Sequence, residues 1–227
     1  MLTLTFHGHA CFLIEADERR ILIDPFLTGN PAADIGPDQL PKIDAVLLSH
    51  GHGDHLGDAV AIAKKHGATI VATYELAQFC GDQGVTAHSM HIGGAHRFPW
   101  GTVKLVPAFH GGAVEGDPTG KYTTTACGLV LTAGDKTVYH TGDTALTMEM
   151  RLLEGRVDVM LLPIGDNYTM GIDDAVRAVE FVKPQIAIPM HYNTFAVIKA
   201  DPQEFRRKVG NRADVVILKP GESLKHS

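Results

Sequence analysis

The stretch that determines how this chain is interpreted is Ser49-His50-Gly51-His52-Gly53-Asp54-His55. It follows Asp44-Ala45-Val46-Leu47-Leu48, an apolar run typical of a buried strand. Three imidazoles and one carboxylate therefore lie within six consecutive positions, and the glycines let the backbone turn tightly between them. Imidazole is a ligand for zinc, manganese or iron, and a carboxylate adds a hard oxygen ligand. A surface histidine cluster without function is the alternative, but this pattern behind a strand favours a metal-binding loop.

Three further ligand-type residues each come after an apolar, strand-like segment: His110 after 103–109, Asp143 after 136–139, and His191 after 185–190. In open α/β sheets, ligands bind at the carboxyl ends of the strands. Each residue alone could simply mark the end of a strand. Together with the first cluster, they predict two coordination sets at one edge of the molecule.

The order and spacing of these motifs resemble those of the metallo-β-lactamase superfamily of αββα hydrolases, with Asp143 inside Thr-Gly-Asp-Thr. Within that superfamily, the chain is similar to a short, single-domain branch of metal-dependent hydrolases related to the ascorbate-6-phosphate lactonases. The segments that carry this second similarity are Gly8-His9-Ala10-Cys11-Phe12-Leu13-Ile14-Glu15, Leu22-Ile23-Asp24-Pro25-Phe26, and Pro163-Ile164-Gly165-Asp166 followed by Met170-Gly171. The resemblance covers essentially the whole chain. It implies an α/β fold in one domain, residues 1–227, built as an αββα sandwich of two mixed sheets with helices on the outer faces.

The resemblance also divides the ligands between two ions: His50, His52 and His110 hold the first, Asp54, His55 and His191 hold the second, and Asp143 bridges them. The implied cofactor is a pair of divalent metal ions, with zinc favoured and manganese or nickel as alternatives. Two such ions, about 3.5–4 Å apart, lower the pKa of a bridging water and polarise the bond under attack.

The implied activity is metal-dependent hydrolysis, in which a bridging hydroxide cleaves a small ester-type bond of a lactone or a phosphodiester. Gly-x-Ser-x-Gly is absent, so a serine hydrolase has no support. Two alternatives stay open: a dinuclear-iron redox enzyme, and a metal-binding regulatory protein without turnover. Diiron relatives usually carry Glu where this chain has His52, and a nitrogen-rich first site favours zinc. The complete ligand set argues against a protein that has lost catalysis.

Further residues are predicted to act around the ions. His9 and Asp54 are the candidate catalytic residues, with His9 as proton donor or substrate contact; a structural, hydrogen-bonded histidine is the alternative. His140 lies shortly before the bridging aspartate and is predicted to orient it from behind. Tyr192 and Asn193 directly follow a ligand and are predicted to line the cleft.

The second half of the chain repeats the pattern of the first. Asp44–His50 corresponds to Asp158–Ile164, and each segment precedes a helical pattern and then another strand. The repeat predicts two β-loop-α-β units related by a pseudo-twofold axis, although chance similarity of such units is the alternative. This register places Asp166 opposite His52, at the floor of the site.

Hydrophobic periodicity predicts the remaining elements. Strands are predicted at residues 2–6, 11–16, 21–23, 44–48, 69–72, 103–109, 128–131 and 137–140, and helices at 57–66, 75–80 and 203–208. Residues 18–20 are predicted to form a turn. Gly111 to Lys121 is the longest segment without a predicted element, and it could act as a lid next to His110.

Composition limits the partners of this protein. A chain of 227 residues with 44% apolar content can bury a full core in one domain. The net charge of -6, from 20 basic and 26 acidic residues, argues against a broad nucleic-acid surface. A small molecule is the expected partner, and a nucleotide or phosphodiester fits that description. The sequence does not determine the oligomeric state.

The predicted location is the cytoplasm. The chain has three cysteines and no C-x-x-C pair, which fits a reducing compartment. Met1 to His9 lacks the charged and apolar regions of a signal peptide. No apolar stretch approaches the roughly 20 residues that are needed to span a membrane, so no membrane association is expected.

Overall fold

The computed structural model describes residues 1–227, and its fourteen strands form two seven-stranded sheets. The first sheet contains β1 (Leu2–Phe6), β2 (Phe12–Ala16), β3 (Arg19–Ile23), β4 (Ala45–Leu47), β5 (Thr69–Thr73), β6 (Ala87–Met90) and β14 (Ser223–His226). The second sheet contains β7 (Ala95–Phe98), β8 (Gly101–Pro107), β9 (Cys127–Ala133), β10 (Lys136–His140), β11 (Val159–Pro163), β12 (Ile186–Met190) and β13 (Asp214–Val215).

Each sheet is antiparallel on one side and parallel on the other. The first has the order β14-β1-β2-β3-β4-β5-β6, with antiparallel pairs from β14 to β3 and parallel pairs from β3 to β6. The second has the order β13-β12-β11-β10-β9-β8-β7, with parallel pairs from β13 to β10 and antiparallel pairs from β10 to β7. Because parallel neighbours end at the same edge, the loops that follow them are brought together.

The helices pack on the outer faces of the two sheets. They are α1 (Gly53–Leu56), α2 (Ala59–His66), α3 (Tyr74–Asp82), α4 (Ile172–Val182) and α5 (Pro202–Val209), with short 3₁₀ helices at Pro37–Gln39, Met148–Leu153 and Ala196–Ile198. Apolar residues of α2 and α3 share a core with β4 and β5, and those of α4 and α5 share a separate core with β11 and β12.

Alternating side chains explain why the central strands are apolar throughout. In β3, Ile21 and Ile23 face the core between the sheets, whereas Leu22 faces the helices. In β11, Val159 and Leu161 face the same central core, whereas Met160 faces α4. Strands that are covered on both faces read as continuous apolar runs. The predicted αββα sandwich of two mixed sheets is confirmed.

Both halves contain the β-loop-α-β unit that the repeat predicts: β4, α2 and β5 in one, and β11, α4 and β12 in the other. The predicted helix at 57–66 is wrong at its start. Gly57, with φ 40°, separates the single turn of α1 from α2, whose first residue is Ala59. The predicted end is confirmed, since Gly67 caps α2 in a left-handed conformation.

Other boundaries differ by a few residues. The turn predicted at 18–20 lies at Asp17 and Glu18, and Arg19 already belongs to β3. Strands β6, β7 and β14 were not predicted, because their burial patterns are mostly exposed or intermediate and their sequences carry no strong apolar alternation. All three cysteines are buried and unpaired. No helix combines the length and apolarity that crossing a bilayer requires.

Candidate metal centre

The seven predicted ligands converge on one point at the strand ends. His50 follows β4, His110 follows β8, Asp143 follows β10 and His191 follows β12, while Asp54 and His55 lie in the turn of α1. The ligand atoms fall into overlapping groups, and within each group they lie no more than 4.8 Å apart. The sequence therefore identified a real spatial cluster, although its members are up to 141 residues apart in the chain.

The first group consists of His50, His52 and His110. Nε2 of His50 lies 3.0 Å from Nδ1 of His52, and Nε2 of His110 lies 3.2 Å from that same Nδ1. Three ring nitrogens thus face one small volume. An all-nitrogen set of this kind suits zinc.

The second group consists of Asp54, His55 and His191, and it also includes His9. Nε2 of His191 lies 3.7 Å from Oδ2 of Asp54. Nε2 of His9 lies 3.1 Å from the same oxygen. This group differs from the first because a carboxylate contributes a hard oxygen.

Asp143 lies between the two groups. Its Oδ1 is 3.2 Å from Nε2 of His55, and its Oδ2 is 3.1 Å from Nε2 of His191 and 3.5 Å from Nε2 of His110. The carboxylate is 3% exposed, so its two oxygens are directed at histidines and not at solvent. Asp143 thereby contacts ligands of both groups, as the resemblance implies for a bridge.

Two glycines make this convergence sterically feasible. A Cβ on Gly51 would lie 2.8 Å from the Val114 side chain. A Cβ on Gly142 would lie 2.8 Å from both the Cys127 carbonyl oxygen and Ser49, and Gly142 also has φ 60°. Only glycine lets these backbone segments approach so closely while the neighbouring ligands keep their directions.

The segment predicted as a lid contacts the metal loop directly. The backbone N–H of Gly53 donates a 2.8 Å hydrogen bond to Oε2 of Glu115, and Val114 is buried against Gly51. A hinged closure of this segment stays a prediction.

Asp24 was not predicted as a site residue, yet it anchors the metal loop from behind. Its Oδ2 accepts from Nδ1 of His55 at 2.8 Å and from Oγ of Ser49 at 2.6 Å. Nδ1 of His50 lies 3.0 Å from the same Ser49 Oγ. All four side chains are fully buried. With Nδ1 held in this way, His50 and His55 both present Nε2 to the centre, which is the carboxylate–histidine arrangement common behind protein metal ligands.

The charges of the cluster are strongly coupled. Burial lowers the pKa of His55, but the carboxylates of Asp143 and Asp24 outweigh burial and hold that pKa well above its ordinary value. Burial likewise lowers the pKa of His191, and Asp143 again outweighs it, raising the pKa to about 9. Burial raises the pKa of Asp143, but His55 and His191 bring it well below its ordinary value. Without a cation, protons on the imidazoles balance the carboxylates.

Several atoms of the cluster are buried without a hydrogen-bond partner: Nε2 of His55, Oδ1 of Asp143, and both ring nitrogens of His191. Although the first two lie 3.2 Å apart, they do not form a hydrogen bond of good geometry. Buried polar atoms are rarely left unpaired in proteins. Divalent cations would satisfy these ligand atoms, so the residues present fit a metal centre.

His9 is placed beside the second group and is 1% exposed. Burial lowers its pKa to about 4, although the hydrogen bond to Asp54 acts in the opposite direction. The ring is therefore neutral at pH 7. In the neutral ring, Nε2 donates to the Asp54 carboxylate. The other ring nitrogen, Nδ1, then accepts from the hydroxyl of Thr194 at 2.8 Å. His9 thus connects a ligand carboxylate to the loop after β12.

His140 acts on the backbone and not on the Asp143 side chain. Its Nδ1 accepts from the N–H of Gly142 at 3.1 Å, and its Nε2 lies 2.9 Å from the carbonyl oxygen of Ala10. The ring, which is fully buried, ties the turn before Asp143 to the turn that carries His9.

Three other predicted residues lie outside the cluster. Asp166 is exposed and bonds to the N–H of Asn167, so its predicted place at the site floor is wrong. Tyr192 packs against the core beneath α4 and not into the cleft. Asn193 exchanges hydrogen bonds with the backbone of Ala200 and closes a loop. These two residues hold the loop after His191 in shape, but neither lines the cleft.

His9, Asp24 and His191 share an unusual backbone conformation. Their φ angles are 58°, 44° and 53°, in the left-handed region that side chains with a Cβ disfavour. Asp24 and His191 directly follow β3 and β12, and His9 lies in the turn between β1 and β2. The reversed backbone turns its side chain back toward the cluster, so the conformation is tied to the site.

The cluster opens into a small cleft of about 220 Å³, which is lined by His52, Asp54, His110, Asp143, Tyr168 and His191. A larger depression of about 620 Å³ lies elsewhere, between β8 and the 3₁₀ helix Met148–Leu153. It contains none of the ligand groups. The chemistry of the lining, and not its volume, therefore identifies the site.

Comparisons of the sequence and of the structure with known proteins agree on one family. Residues 19–192 match the family described as "Beta-lactamase superfamily domain". The chain is 50% identical to a UPF0173 metal-dependent hydrolase of Bacillus mycoides (strain KBAB4), with 99% of each chain covered. It is 52% identical to a UPF0173 metal-dependent hydrolase of Carboxydothermus hydrogenoformans, over 98% of this chain and 99% of the other. Among solved structures, Igni18, a metallo hydrolase from Ignicoccus hospitalis, superimposes with a TM-score of 0.90 at 34% identity, over 100% of this chain and 99% of that one.

Proposed function

The chain belongs to the β-lactamase superfamily and is a metal-dependent hydrolase, and we propose that it holds two divalent ions and cleaves a small ester-type bond in a lactone or a phosphodiester. The observation that carries the proposal is the cluster of two carboxylates and five imidazoles, of which His50, His55, Asp143 and His191 are buried and several atoms have no other partner. Zinc is the proposed metal because the first group offers only nitrogen, and manganese or nickel are the alternatives.

In this proposal His50, His52 and His110 would hold the first ion, Asp54, His55 and His191 would hold the second, and Asp143 would serve both. When bound, two divalent ions lower the pKa of a water molecule, polarise the ester and neutralise the leaving oxygen. No side-chain nucleophile is needed.

The chain itself supplies orientation. Asp24 and Ser49 fix the rings of His50 and His55, so that each directs Nε2 to the centre. His9 donates from Nε2 to Asp54 and keeps that carboxylate oxygen at the second group. Since His9 is buried next to the reacting volume, it is also the side chain proposed to contact substrate or to move a proton.

The test begins with metal-free protein that is reloaded separately with zinc, manganese or nickel. Metal content per chain is measured first, and then hydrolysis of a panel that contains a lactone, a phosphodiester, a thioester and a β-lactam. Two ions per chain with turnover of a lactone or phosphodiester is the expected result. Two ions without turnover of any substrate would contradict the proposed function.

Protein purified without chelator provides the second measurement. Zinc, manganese or nickel is expected in it. Two iron ions per chain, with a visible absorption band, would instead identify a redox centre. A cytoplasmic location is part of the proposal, and it is supported by three buried cysteines that form no disulfide.

A further inference from the structure

Exposed apolar side chains gather on the loops that carry the metal ligands. The large apolar residues that are exposed are Met1, Tyr74, Phe109, Met148, Leu152, Tyr168, Phe195 and Val197. Phe109 directly precedes His110, Phe195 and Val197 lie four and six positions after His191, and Tyr168 lines the cleft. Single exposed apolar residues are ordinary, but a group of them around one cleft indicates a binding surface.

Two phenylalanines form an aromatic wall beside the second group of ligands. The rings of Phe26 and Phe195 have their centroids 6.4 Å apart. Both rings contact His9, with centroid distances of 5.8 Å and 5.5 Å. His9 in turn lies 3.9 Å, centroid to centroid, from the ligand His191. Phe195 is 38% exposed, so part of its ring is free to contact a bound molecule.

The lining of the cleft contains no Lys or Arg, and its two carboxylates are those of the ligands Asp54 and Asp143. The nearby cations Lys199 and Lys208 line a different depression, in which Lys208 is paired with Asp173 and Glu204. A phosphate or carboxylate on the remote part of a substrate would therefore find no partner outside the metal centre.

From the aromatic wall and the missing cations, we infer that the enzyme selects small esters or lactones whose non-reacting part is uncharged and apolar. That part lies against Phe195 and Phe26, while the ester group reaches the ligands. The inference rests on the proposed function and adds the class of substrate.

The experiment uses the zinc-loaded protein and three p-nitrophenyl esters: the acetate, the hexanoate and the monoester of adipate. The adipate monoester has the same chain length as the hexanoate, but a carboxylate replaces the terminal methyl group. The kcat/KM for hexanoate should exceed that for acetate at least about tenfold, since burying methylene groups is favourable. The adipate monoester should lose that advantage. Methyl and phenyl p-nitrophenyl phosphate provide the same comparison for phosphodiesters, with phenyl preferred.

Variants locate the preference in the wall. Phe195→Ala should reduce the hexanoate-to-acetate ratio about tenfold, mainly through KM, and Phe26→Ala should reduce it less because Phe26 is less exposed. Leu152→Ala is the matched control, since Leu152 is 73% exposed and lines the other depression. Its ratio should equal that of the wild type. Binding of the free carboxylates hexanoate and acetate, measured by calorimetry on the same loaded proteins, gives a readout independent of turnover.

Failure of the inference is distinguishable from failure of the proposed function. If p-nitrophenyl acetate is cleaved as fast as p-nitrophenyl hexanoate, and methyl p-nitrophenyl phosphate as fast as the phenyl diester, the inference is wrong and the hydrolase proposal stands. If no ester is cleaved although two ions are bound, the proposed function is wrong. In that case calorimetry decides: hexanoate binding no tighter than acetate overturns the apolar site, and tighter binding that Phe195→Ala abolishes supports it.

Discussion

Oδ2 of Asp24 lies 2.8 Å from Nδ1 of His55, and both side chains are fully buried. The same oxygen accepts from Ser49, which contacts His50. One carboxylate that touches no metal-facing atom therefore sets the ring orientation of one ligand from each group.

Asp24→Asn should weaken metal binding by about 10–100-fold, the usual effect of losing the partner behind a ligand. Asn has the same shape but lacks the charge that holds the proton on Nδ1 of His55. Competition with a chelator of known affinity measures the change. Asp44→Asn is the control, because Asp44 pairs with Arg19 at the opposite end of β4 from His50. Equal affinities of the two variants would show that Asp24 has only a packing role.

Asp143→Ala should lose at least one ion, because the two groups would face each other without a shared anion. Metal content per chain measures the loss. Asp166→Asn is the control variant and should retain both ions, since Asp166 is exposed and outside the cluster. Two ions retained in Asp143→Ala would rule out the bridging role.

His9→Ala should keep the metal content and lower turnover at least about tenfold, in the lower part of the range for general acid–base groups. Its ring is next to the ligands but is held by Asp54 and Thr194. Thr194→Val should give a smaller decrease, because it removes only the donor to Nδ1. Loss of an ion from His9→Ala would make His9 a ligand, and unchanged turnover would make it purely structural.

Metal binding should release protons below pH 9. Burial lowers the pKa of His191, but Asp143 and Asp54 outweigh it and raise the pKa to about 9, whereas only the unprotonated ring binds metal. Affinity should therefore rise with pH until about 9 and then level off. In the metal-free protein, the protonated ring stabilises the fold fully below the ordinary pKa of 6.5, and this stabilisation is lost as pH rises through 9. Calorimetry at pH 7.5 in buffers of different ionisation enthalpy counts the protons, and a count of zero would contradict the raised pKa.

Chelator should lower the melting temperature by several degrees. Ions that bind the folded chain and not the unfolded chain add their binding free energy to stability. The ligands come from loops that follow four different strands, so removing the ions also removes ties between both sheets. Thermal unfolding of loaded and metal-free protein measures the effect. An unchanged melting curve after confirmed metal removal would show that the scaffold holds the loops unaided.

The sequence was sufficient for the ligands because each one follows an apolar strand, and parallel strands end at a common edge. It was insufficient for Asp24. That residue also follows a strand, but nothing in its local pattern shows that its side chain points behind the loop and not into solvent. Spatial partners such as Asp24 and Ser49 become visible only once β3 and β4 are paired.

The error at Asp166 has a related cause. The internal repeat correctly matched β4 with β11, since both are buried parallel strands. It could not predict the loops beyond them, because loop conformation depends on local turns. Asp166 and Asn167 adopt left-handed φ angles of 59° and 55°, whereas His52 precedes the turn of α1. Aromatic residues such as Phe195 carry no periodic signal at all and were found only from the structure.

The left-handed backbone at His9, Asp24 and His191 sets a limit on how stable this protein can become while it stays active. Such conformations cost non-glycine residues on the order of 1 kcal/mol or more each. Glycine at these positions would relieve the backbone cost, but it would delete a ligand, its anchor or its neighbour together with the buried contacts that these side chains make. Selection for an unstrained backbone and selection for the metal centre therefore oppose each other at the same three positions. Engineered thermostable forms should gain their stability elsewhere, on the outer helices and at the sheet edges.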